Sequence, residues 1–384
     1  MGPGSPSGPA GEEVIQGDAG HEDERPDEYN SDIASCIGSE NDGEGTEVKR
    51  PTIADIAKRA GVSKGAVSFA LNGQSGVSAG TRERVLAIAE EIGWSPNSVA
   101  RTLSGAASHT IGMALRRPAR ILGVEPFFME LISGVELELS AHSYALTLQV
   151  VADQEAEVAL YRRWGRERRV DGVLVCDLRV DDPRVPVLEE LELATVVIGS
   201  HTGAGRLVSL GSDDAGSVVE AIEYLATLGH RQIARVGGLA ELLHTVQRSA
   251  AFDEACARLE VTATTIVTDY SGEDGARATR RLLSSAPRPT AIVYDNDVMA
   301  VAGLAVAHEM GFQVPADVSL VAWDDSVLCR LVHPALTAMS RDVTAYGAHA
   351  ARELLNVIAG RPPTSTADAV AHLVPRGSTA PPAA

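Results

Sequence analysis

Two groups of side chains in this sequence could do chemistry, and the first lies in the stretch "GVSKGAVSFALNG", residues 61–73. If this stretch forms a helix, steps of about 100° per residue put Lys64, Gly65, Ser68 and Phe69 on one side and the apolar residues on the other. Lysine and serine can hydrogen-bond to base edges, whereas phenylalanine can contact only a thymine methyl or a base-edge carbon. The spacing predicts a surface that contacts bases in a DNA groove. The alternative interpretation is that Phe69 is an ordinary core aromatic.

Hydroxyl, amide and guanidinium donors lie at the predicted helix starts around this stretch. Such groups can hydrogen-bond to phosphate oxygens, which positions a protein on DNA without specifying a sequence. Each of them alone could equally be a helix cap or a solvated surface group. The predicted phosphate contacts are Thr52, Ser63, Asn72, Ser78, Thr81 and Arg82.

The second group lies further along the chain and consists of carboxylates and aromatic rings. Asp177, Asp297 and Asp324 each follow closely on a predicted strand, where a carboxylate can accept hydrogen bonds from a ligand. Asp297 could also cap the helix predicted to start at Val298. The rings that could face the apolar side of a sugar-like ligand are Phe128, Tyr270 and Trp323, although each taken singly is more typical of a core residue.

Three short helices are predicted to position the first group. Thr52 is a plausible N-cap for "TIADIAKRAG", which Gly61 ends, and Ser63 caps the stretch described above. A third helix, "VSAGTRERVLAIAEEIGW", begins after Ser78 and ends at Gly93. Three helices with a tight turn between the first two match the helix-turn-helix plan.

Beyond residue 108 short apolar segments alternate with amphipathic ones, as in "DGVLVC" and "SVVEAIEYLATLG". This alternation predicts parallel sheets covered by helices on both faces. Two consecutive α/β lobes describe it most simply, with a cleft facing the carboxyl ends of the strands. The final segments predict a helix, "AYGAHAARELLNVIAG", and a closing strand, "AHLVPRG".

The net charge of −19 argues against nucleic acid until it is divided by segment. Residues 1–48 carry −12, residues 49–105 carry +4, and the remainder carries −11. Residues 1–48 are rich in Gly, Ser, Pro and acids, which predicts a disordered tail. A basic module therefore sits between an acidic tail and an acidic body, as expected for a DNA-binding segment.

Other classes of protein are disfavoured by what the sequence lacks. The four cysteines are widely spaced and no His cluster has metal-ligand spacing, so we expect no metal site, no disulfide framework and no cofactor. No apolar run is long enough for a membrane span, and the N-terminal residues "MGPGSPSGPAGEEV" lack the basic start and apolar stretch of a secretory signal, so we expect a cytoplasmic protein. Because GxSxG, P-loop and GxGxxG motifs are absent, we expect no enzyme.

The order of motifs resembles the LacI/GalR family of sugar-responsive transcription regulators over roughly residues 51–380. Blocks similar to that family include "TIADIAKRAGVSKGAVSFALNG", "PNSVARTL", "EPFFMELISGVE" and "PTAIVYDNDVMAVAG". The resemblance implies an all-α helix-turn-helix headpiece and a hinge helix. An α/β core would follow, with two doubly wound parallel-sheet lobes like those of periplasmic sugar-binding proteins. The implied domains are the tail (1–48), the headpiece (49–95), the hinge and linker (96–108), and the effector-binding, dimerising core (109–384).

The resemblance also carries specific DNA contacts. Asn97, Ala100 and Leu103 match the family's hinge positions, and we include Arg101 with them as minor-groove contacts. Leu103 would wedge between base pairs when two hinge helices are ordered together. Phe69 stands where the family typically has an arginine that contacts guanine, so we expect a different base pair beneath it.

In the cleft, Arg248 matches the family's pocket arginine and Asp297 its Asn-Asp position. An arginine and an aspartate together suit a polyhydroxylated ligand, since hydroxyls both donate and accept. Glu125 stands where the family often has asparagine. We expect it to face the solvent, the alternative being that it selects an amino or cationic group.

These features predict a homodimeric regulator that binds a pseudo-palindromic operator in double-stranded DNA. We expect repression of carbohydrate uptake or metabolism genes and release by a sugar-like effector. One alternative is a co-repressed or activating regulator with a non-sugar effector, because the sign depends on which lobe arrangement the ligand prefers. Another is a sugar-binding protein without a regulatory role.

Overall fold

The computed structural model describes residues 51–71, 73–94, 107–117, 122–362 and 370–383. Its contacts divide the chain into two compact units, Met1–Ser95 and Pro96–Ala384. The predicted tail, Asn72 and all four hinge residues, Asn97, Ala100, Arg101 and Leu103, lie outside the described residues.

The first unit contains three helices, α1 (Ile53–Ala60), α2 (Lys64–Leu71) and α3 (Ala79–Glu91). Thr52 precedes α1, and its backbone N–H donates to the carboxylate of Asp55 at 2.8 Å. Ser63 accepts from the backbone N–H of Ala66 at 3.1 Å, which caps α2. The three helices share one small core, built from Ile56, Ala57, Ala60, Val67, Ala70, Val85 and Ala89.

The second unit contains two sheets, each with helices on both faces. The strands of the first sheet are β1 (Thr110–Leu115), β2 (Ala145–Val150), β3 (Gly172–Val175), β4 (Ala194–Gly199) and β5 (Val208–Gly211). They lie in the order β2-β1-β3-β4-β5 and are all parallel. The helices that follow them in sequence are α4 (Pro126–Ala141), α5 (Gln154–Glu167) and α6 (Arg184–Glu190).

The strands of the second sheet are β6 (Gln232–Gly237), β7 (Thr262–Val267), β8 (Ala291–Tyr294), β9 (Ser319–Trp323), β10 (Thr337–Ser340) and β11 (His372–Val374). Their order is β11-β10-β9-β8-β6-β7. All neighbours are parallel except β11, which runs antiparallel to β10 at one edge. The helices are α7 (Asp214–Leu228), α8 (Leu243–Arg258), α9 (Gly272–Leu283), α10 (Asp297–Glu309), α11 (Val327–Leu331) and α12 (Val343–Ile358).

We call the two halves of this unit the N-lobe and the C-lobe, after the first and second sheets. The two predicted lobes are confirmed, but they are not strictly consecutive in sequence. Val343, Tyr346 and Leu354 of α12 pack in the N-lobe core with residues of β1 and α4, although α12 follows the C-lobe strands in sequence. The chain then returns to the C-lobe as β11. It therefore crosses between the lobes three times.

Two glycines let α12 lie directly on α4. A Cβ added at Gly134 would overlap the backbone carbonyl of Thr344, and one added at Gly347 would overlap that of Leu131. Because no side chain separates the helices at this crossing, their backbones touch. The contact fixes α12, and with it the segment leading from β10, to the N-lobe.

Among the described residues, no helix is both long and apolar enough to cross a bilayer.

Candidate functional site

The outer side of α2 is formed as the residue spacing predicts. Val67 and Ala70 are buried against the other helices, whereas Lys64, Gly65 and Phe69 are exposed and Ser68 is half-buried. Phe69 is 43% exposed, so the core interpretation of this ring does not hold. The headpiece thus presents a lysine and an aromatic ring on one accessible helix face.

The Phe69 ring is supported by the loop that follows α2. A Cβ added at Gly76 would lie 3.1 Å from the ring's Cδ2, and Gly76 has φ 123°, in the region that favours glycine. The carbonyl of Phe69 accepts from the N–H of Gln74 at 3.0 Å. The ring is therefore held against the loop on one side and exposed on the other.

The predicted phosphate contacts make hydrogen bonds within the headpiece. Thr52 and Ser63 lie at the starts of α1 and α2 as described, and Ser78 accepts from the N–H of Thr81 at 3.3 Å to cap α3. Arg82 donates from Nη2 to the carbonyl of Gln74 at 2.6 Å. These contacts define the helix starts, and binding of phosphate by the same groups stays a prediction.

In the second unit, the carboxyl ends of the strands of both lobes meet at a cleft that is lined by charged, polar and aromatic side chains. The lining includes Phe128, Asp177, Arg248, Tyr270 and Asp324 of the sequence-predicted residues. Further lining residues, which sequence reasoning did not select for this role, are Arg117, Phe127, Asp214, His244, Asp295, Arg341 and Tyr346.

Three of the lining residues adopt backbone conformations that side chains other than glycine rarely take. Asp177, Tyr270 and Asp324 have φ values of 53°, 71° and 64°, and they follow β3, β7 and β9. Left-handed conformations at such residues cost free energy and cluster at functional sites. Their coincidence in one cleft supports a binding role for it.

The charges in the cleft are largely matched in pairs. Arg117 Nη2 lies 2.9 Å from Asp177 Oδ2, and Arg248 Nε lies 2.9 Å from Asp214 Oδ2. Burial alone would raise the pKa values of both aspartates, but the neighbouring arginines outweigh it and hold the pKa values below their ordinary range. Both carboxylates therefore remain ionised at neutral pH.

Asp295 is held from behind by the C-lobe core. Its two oxygens accept from Arg235 at 2.8 Å and 2.5 Å, and one of them also accepts from the N–H of Gly238 at 3.1 Å. Gly238 in turn must be a glycine, since an added Cβ would overlap the ring of Tyr270. One buried cluster thus places both Asp295 and Tyr270 in the cleft.

Asp297 and Trp323 are not among the residues that line the cleft. Asn296, not Asp297, caps α10 by accepting from the N–H of Met299, and Asp297 is the first residue of that helix. Burial raises the pKa of Asp297 to about 7. Trp323 is 1% exposed and its ring lies 4.0 Å from the Arg248 guanidinium carbon, so it supports Arg248 from behind.

Glu125 differs most from expectation. We expected it to face the solvent, but it is 6% exposed and lines the cleft. Burial raises its pKa to about 7, although Arg117 lowers the value. The signal available in the sequence was its position directly before the "PFF" that begins α4.

Within the described residues, no group of three or more His, Cys, Asp or Glu side chains could hold a metal ion. The cleft instead offers arginines, carboxylates and aromatic rings, which are the groups that bind hydroxylated ligands.

Comparisons with known proteins match both units of the chain. Residues 52–97 match the lacI family of bacterial regulatory proteins, and residues 222–379 match the periplasmic binding protein-like domain. The HTH-type transcriptional regulator CelR of Thermobifida fusca is 32% identical over 319 residues, covering 81% of this chain and 93% of that protein.

Two solved structures are similar over 86% of this chain and the whole of theirs. One is a complex of the transcriptional regulator CelR with cellobiose, at 29% identity and a TM-score of 0.66. The other is a lac repressor dimer bound to operator and the anti-inducer ONPF, at 26% identity and a TM-score of 0.75.

Proposed function

This chain belongs to the LacI family of bacterial regulatory proteins, and from that premise we propose that it represses genes of carbohydrate uptake or metabolism. The headpiece binds a pseudo-palindromic operator, and a small sugar-like effector in the cleft releases it. The hinge residues Asn97, Ala100, Arg101 and Leu103 would couple the two events by ordering in the minor groove. The protein then acts by binding rather than catalysis, in the cytoplasm where the chromosome is.

The observation that carries the effector proposal is the composition of the cleft. It combines three arginines, five carboxyl groups and four aromatic rings in one space. Hydroxyl groups can donate to the carboxylates and accept from the arginines, while the rings cover apolar faces. A similar regulator has been solved with cellobiose bound, which makes a short sugar the first ligand to test.

The effector can act in one of two directions, as an inducer or as a co-repressor. A ligand that prefers the DNA-binding arrangement of the lobes would act as a co-repressor, and one that prefers the other arrangement would act as an inducer. A coupling free energy of about 1–3 kcal/mol gives roughly 5- to 150-fold changes in operator affinity. Operator binding measured with and without the bound sugar therefore assigns the sign.

A thermal-shift screen tests the effector. Glucose, cellobiose, maltose and lactose are added to the wild type, and we expect at least one to raise Tm because it binds only the folded cleft. Asp324→Asn should abolish or sharply reduce that shift, since Asp324 lines the cleft. Asp253→Asn, an exposed aspartate of α8, is the matched control and should keep the full shift. If no sugar shifts the wild type, the sugar proposal is wrong.

Selection of binding sites from random DNA tests the headpiece. An exposed phenylalanine cannot make the bidentate guanine contact of an arginine, so we expect the base pair beneath Phe69 to be other than the family's guanine. Phe69→Arg should restore guanine at that position, and Gly80→Ala, at a glycine of α3 with open space around it, should leave the selected sequence unchanged. Recovery of guanine by the wild type would refute the proposal.

A further inference from the structure

Some buried polar atoms of the cleft have no hydrogen-bond partner. Within the described residues, those on lining side chains are Nε of Arg117, Oε2 of Glu125 and Nε of Arg341. Leaving a buried polar group without a partner costs about 1–3 kcal/mol. Such groups in a cleft indicate where a ligand can bind, because the ligand supplies what the protein lacks.

Arg117 is fixed by its other contacts. Its Nη2 is bound to Asp177, and its guanidinium carbon lies 5.6 Å from the ring centre of Phe128 and 4.9 Å from that of Tyr270. These rings hold the guanidinium but cannot accept an in-plane hydrogen bond from Nε. The Nε–H therefore lies buried beside the cleft, without a partner among the described residues and in a fixed orientation.

Glu125, like Arg117, has a buried polar atom without a hydrogen-bond partner in the described part of the chain. It occupies the N-cap position of α4, yet its carboxylate makes no capping bond, and the next residue is Pro126, which has no N–H. Asp177, Asp214, Asp295 and Asp324 each have an arginine within 4.0 Å, whereas no such pair is found for Glu125 among the described residues. Within this described part, Glu125 is thus the cleft carboxyl group without an arginine partner, and its Oε2 accepts no hydrogen bond.

We propose that Arg117 and Glu125 form a subsite for one hydroxyl group of the effector, which accepts from Arg117 Nε–H and donates to Glu125 Oε2. A hydroxyl can do both at once, whereas an ammonium group can only donate and a carboxylate or phosphate can only accept. The subsite therefore selects a neutral hydroxylated ligand over amino and acidic ones. This inference rests on the proposed sugar effector and assigns it two specificity-determining residues.

The subsite makes binding depend on pH. The groups that act on the pKa of Glu125 are Arg117 after β1, Asp177 after β3, Asp324 after β9 and the side chain of Asn296 at the start of α10. Burial, the largest influence, raises the pKa of Glu125 to about 7. Because an ionised carboxylate accepts a hydrogen bond from the hydroxyl more strongly than a protonated carboxyl does, the affinity should rise by up to about tenfold between pH 6 and pH 8.

Calorimetric titration with cellobiose, maltose and lactose at both pH values tests this. We expect the sugar that binds to do so more tightly at pH 8 than at pH 6. Glu125→Gln should bind it at least tenfold more weakly at pH 8 and lose the dependence, and Arg117→Lys should also bind more weakly because it lacks Nε. Glu130→Gln is the matched control, since Glu130 lies on the same helix outside the cleft lining.

Monodeoxy analogues of the bound sugar identify the hydroxyl. One analogue should bind the wild type as weakly as Glu125→Gln binds the parent sugar, and the variant should then bind both sugars equally. Glu125→Gln that binds the parent sugar like the wild type, or tighter wild-type binding of the matching amino sugar, overturns the subsite alone. Failure of the wild type to bind any of the sugars overturns the sugar proposal and the subsite together.

Discussion

The cleft brings together carboxyl groups whose pKa values are shifted in opposite directions. Asp177 and Asp214 lie against arginines and keep low pKa values, whereas the pKa values of Glu125 and Asp324 are raised, chiefly by burial. Two carboxyl groups in the same cleft can therefore differ in charge at the same pH. The charge of each carboxyl in the cleft is set by the balance between its burial and the arginines near it, not by the number of acids.

The raised pKa of Glu125 has a consequence for folding that does not involve a ligand. A group whose folded-state pKa lies above its unfolded value contributes stability that is present at low pH and lost as the pH rises through the folded pKa. For Glu125 this loss falls between about pH 4.5 and pH 7. Glu125→Gln should therefore raise the free energy of unfolding, relative to wild type, by an amount on the order of 2–3 kcal/mol more at pH 8 than at pH 5.

Urea denaturation of both proteins at the two pH values measures this difference. Glu130→Gln serves again as the control and should change the free energy of unfolding far less, because Glu130 is only half-buried. An equal effect of Glu125→Gln at pH 5 and pH 8 would show that the carboxyl is not buried in the folded protein.

At this scale the sequence identified only part of the cleft. Asp177, Asp324 and Arg248 could be selected because they follow strands or match a family motif, and the structure brings them together. Arg117, Asp295 and Arg341 also follow strands closely, but sequence reasoning did not select them. Their place in the cleft depends on where loops from separate strands converge, which spacing along one segment does not encode.

Among the elements, α12 decides how the lobes are connected. It packs backbone to backbone on α4 through Gly134 and Gly347, and it also carries Tyr346, whose hydroxyl donates to the carbonyl of Leu210 in β5 at 2.9 Å. Arg341, two residues before α12, donates to the hydroxyl of Ser212 at 2.7 Å and lies 3.7 Å from the carboxylate of Asp324. The segment before α12 therefore links both lobes at the cleft.

Gly347→Ala should destabilise the second unit by separating these helices. An added methyl group would overlap a backbone carbonyl that cannot move independently, and such overpacking costs about 1–3 kcal/mol. Denaturant unfolding measures the loss, and Ser133→Ala, on the exposed side of α4, should cost little. Unchanged stability in Gly347→Ala would mean that α12 does not lie on α4.

The sequence predicted the elements better than their pairing. The segments "PFFMELISGVELELSAHS" and "AYGAHAARELLNVIAG" were both predicted as helices, and the structure has α4 and α12 there. That the second packs on the first was not predicted, because alternation along the chain indicates local order only. Gly134 and Gly347 permit the contact, but neither position reveals its partner.

At the scale of the whole molecule, exposed apolar side chains lie on both lobes. Met129 and Leu137 of α4 are 50% and 69% exposed, and Leu148 and Val267 lie exposed on β2 and β7, the edge strands of their sheets. Edge strands and apolar patches of this kind are typical of protein interfaces. They support the proposed homodimer, an assembly also seen in the lac repressor structure bound to its operator.

Leu137→Asp should convert the proposed dimer to a monomer, because the interface would bury a charge without a partner. Sedimentation velocity of the full chain measures the change, and operator binding should weaken with it. Leu331→Asp, at a more exposed leucine of α11, is the control and should leave the dimer intact. A monomeric wild type, or dissociation by the control alone, would contradict this assignment of the interface.

The three crossings between the lobes also govern the order in which the protein can fold as it is synthesised. The last strand of the N-lobe sheet ends at Gly211, but α12, which covers that sheet, does not begin until Val343. A chain emerging from the ribosome therefore presents an N-lobe without α12 until nearly all of the C-lobe has been made. A chain terminated before Val343 would leave the side of α4 at Gly134 uncovered.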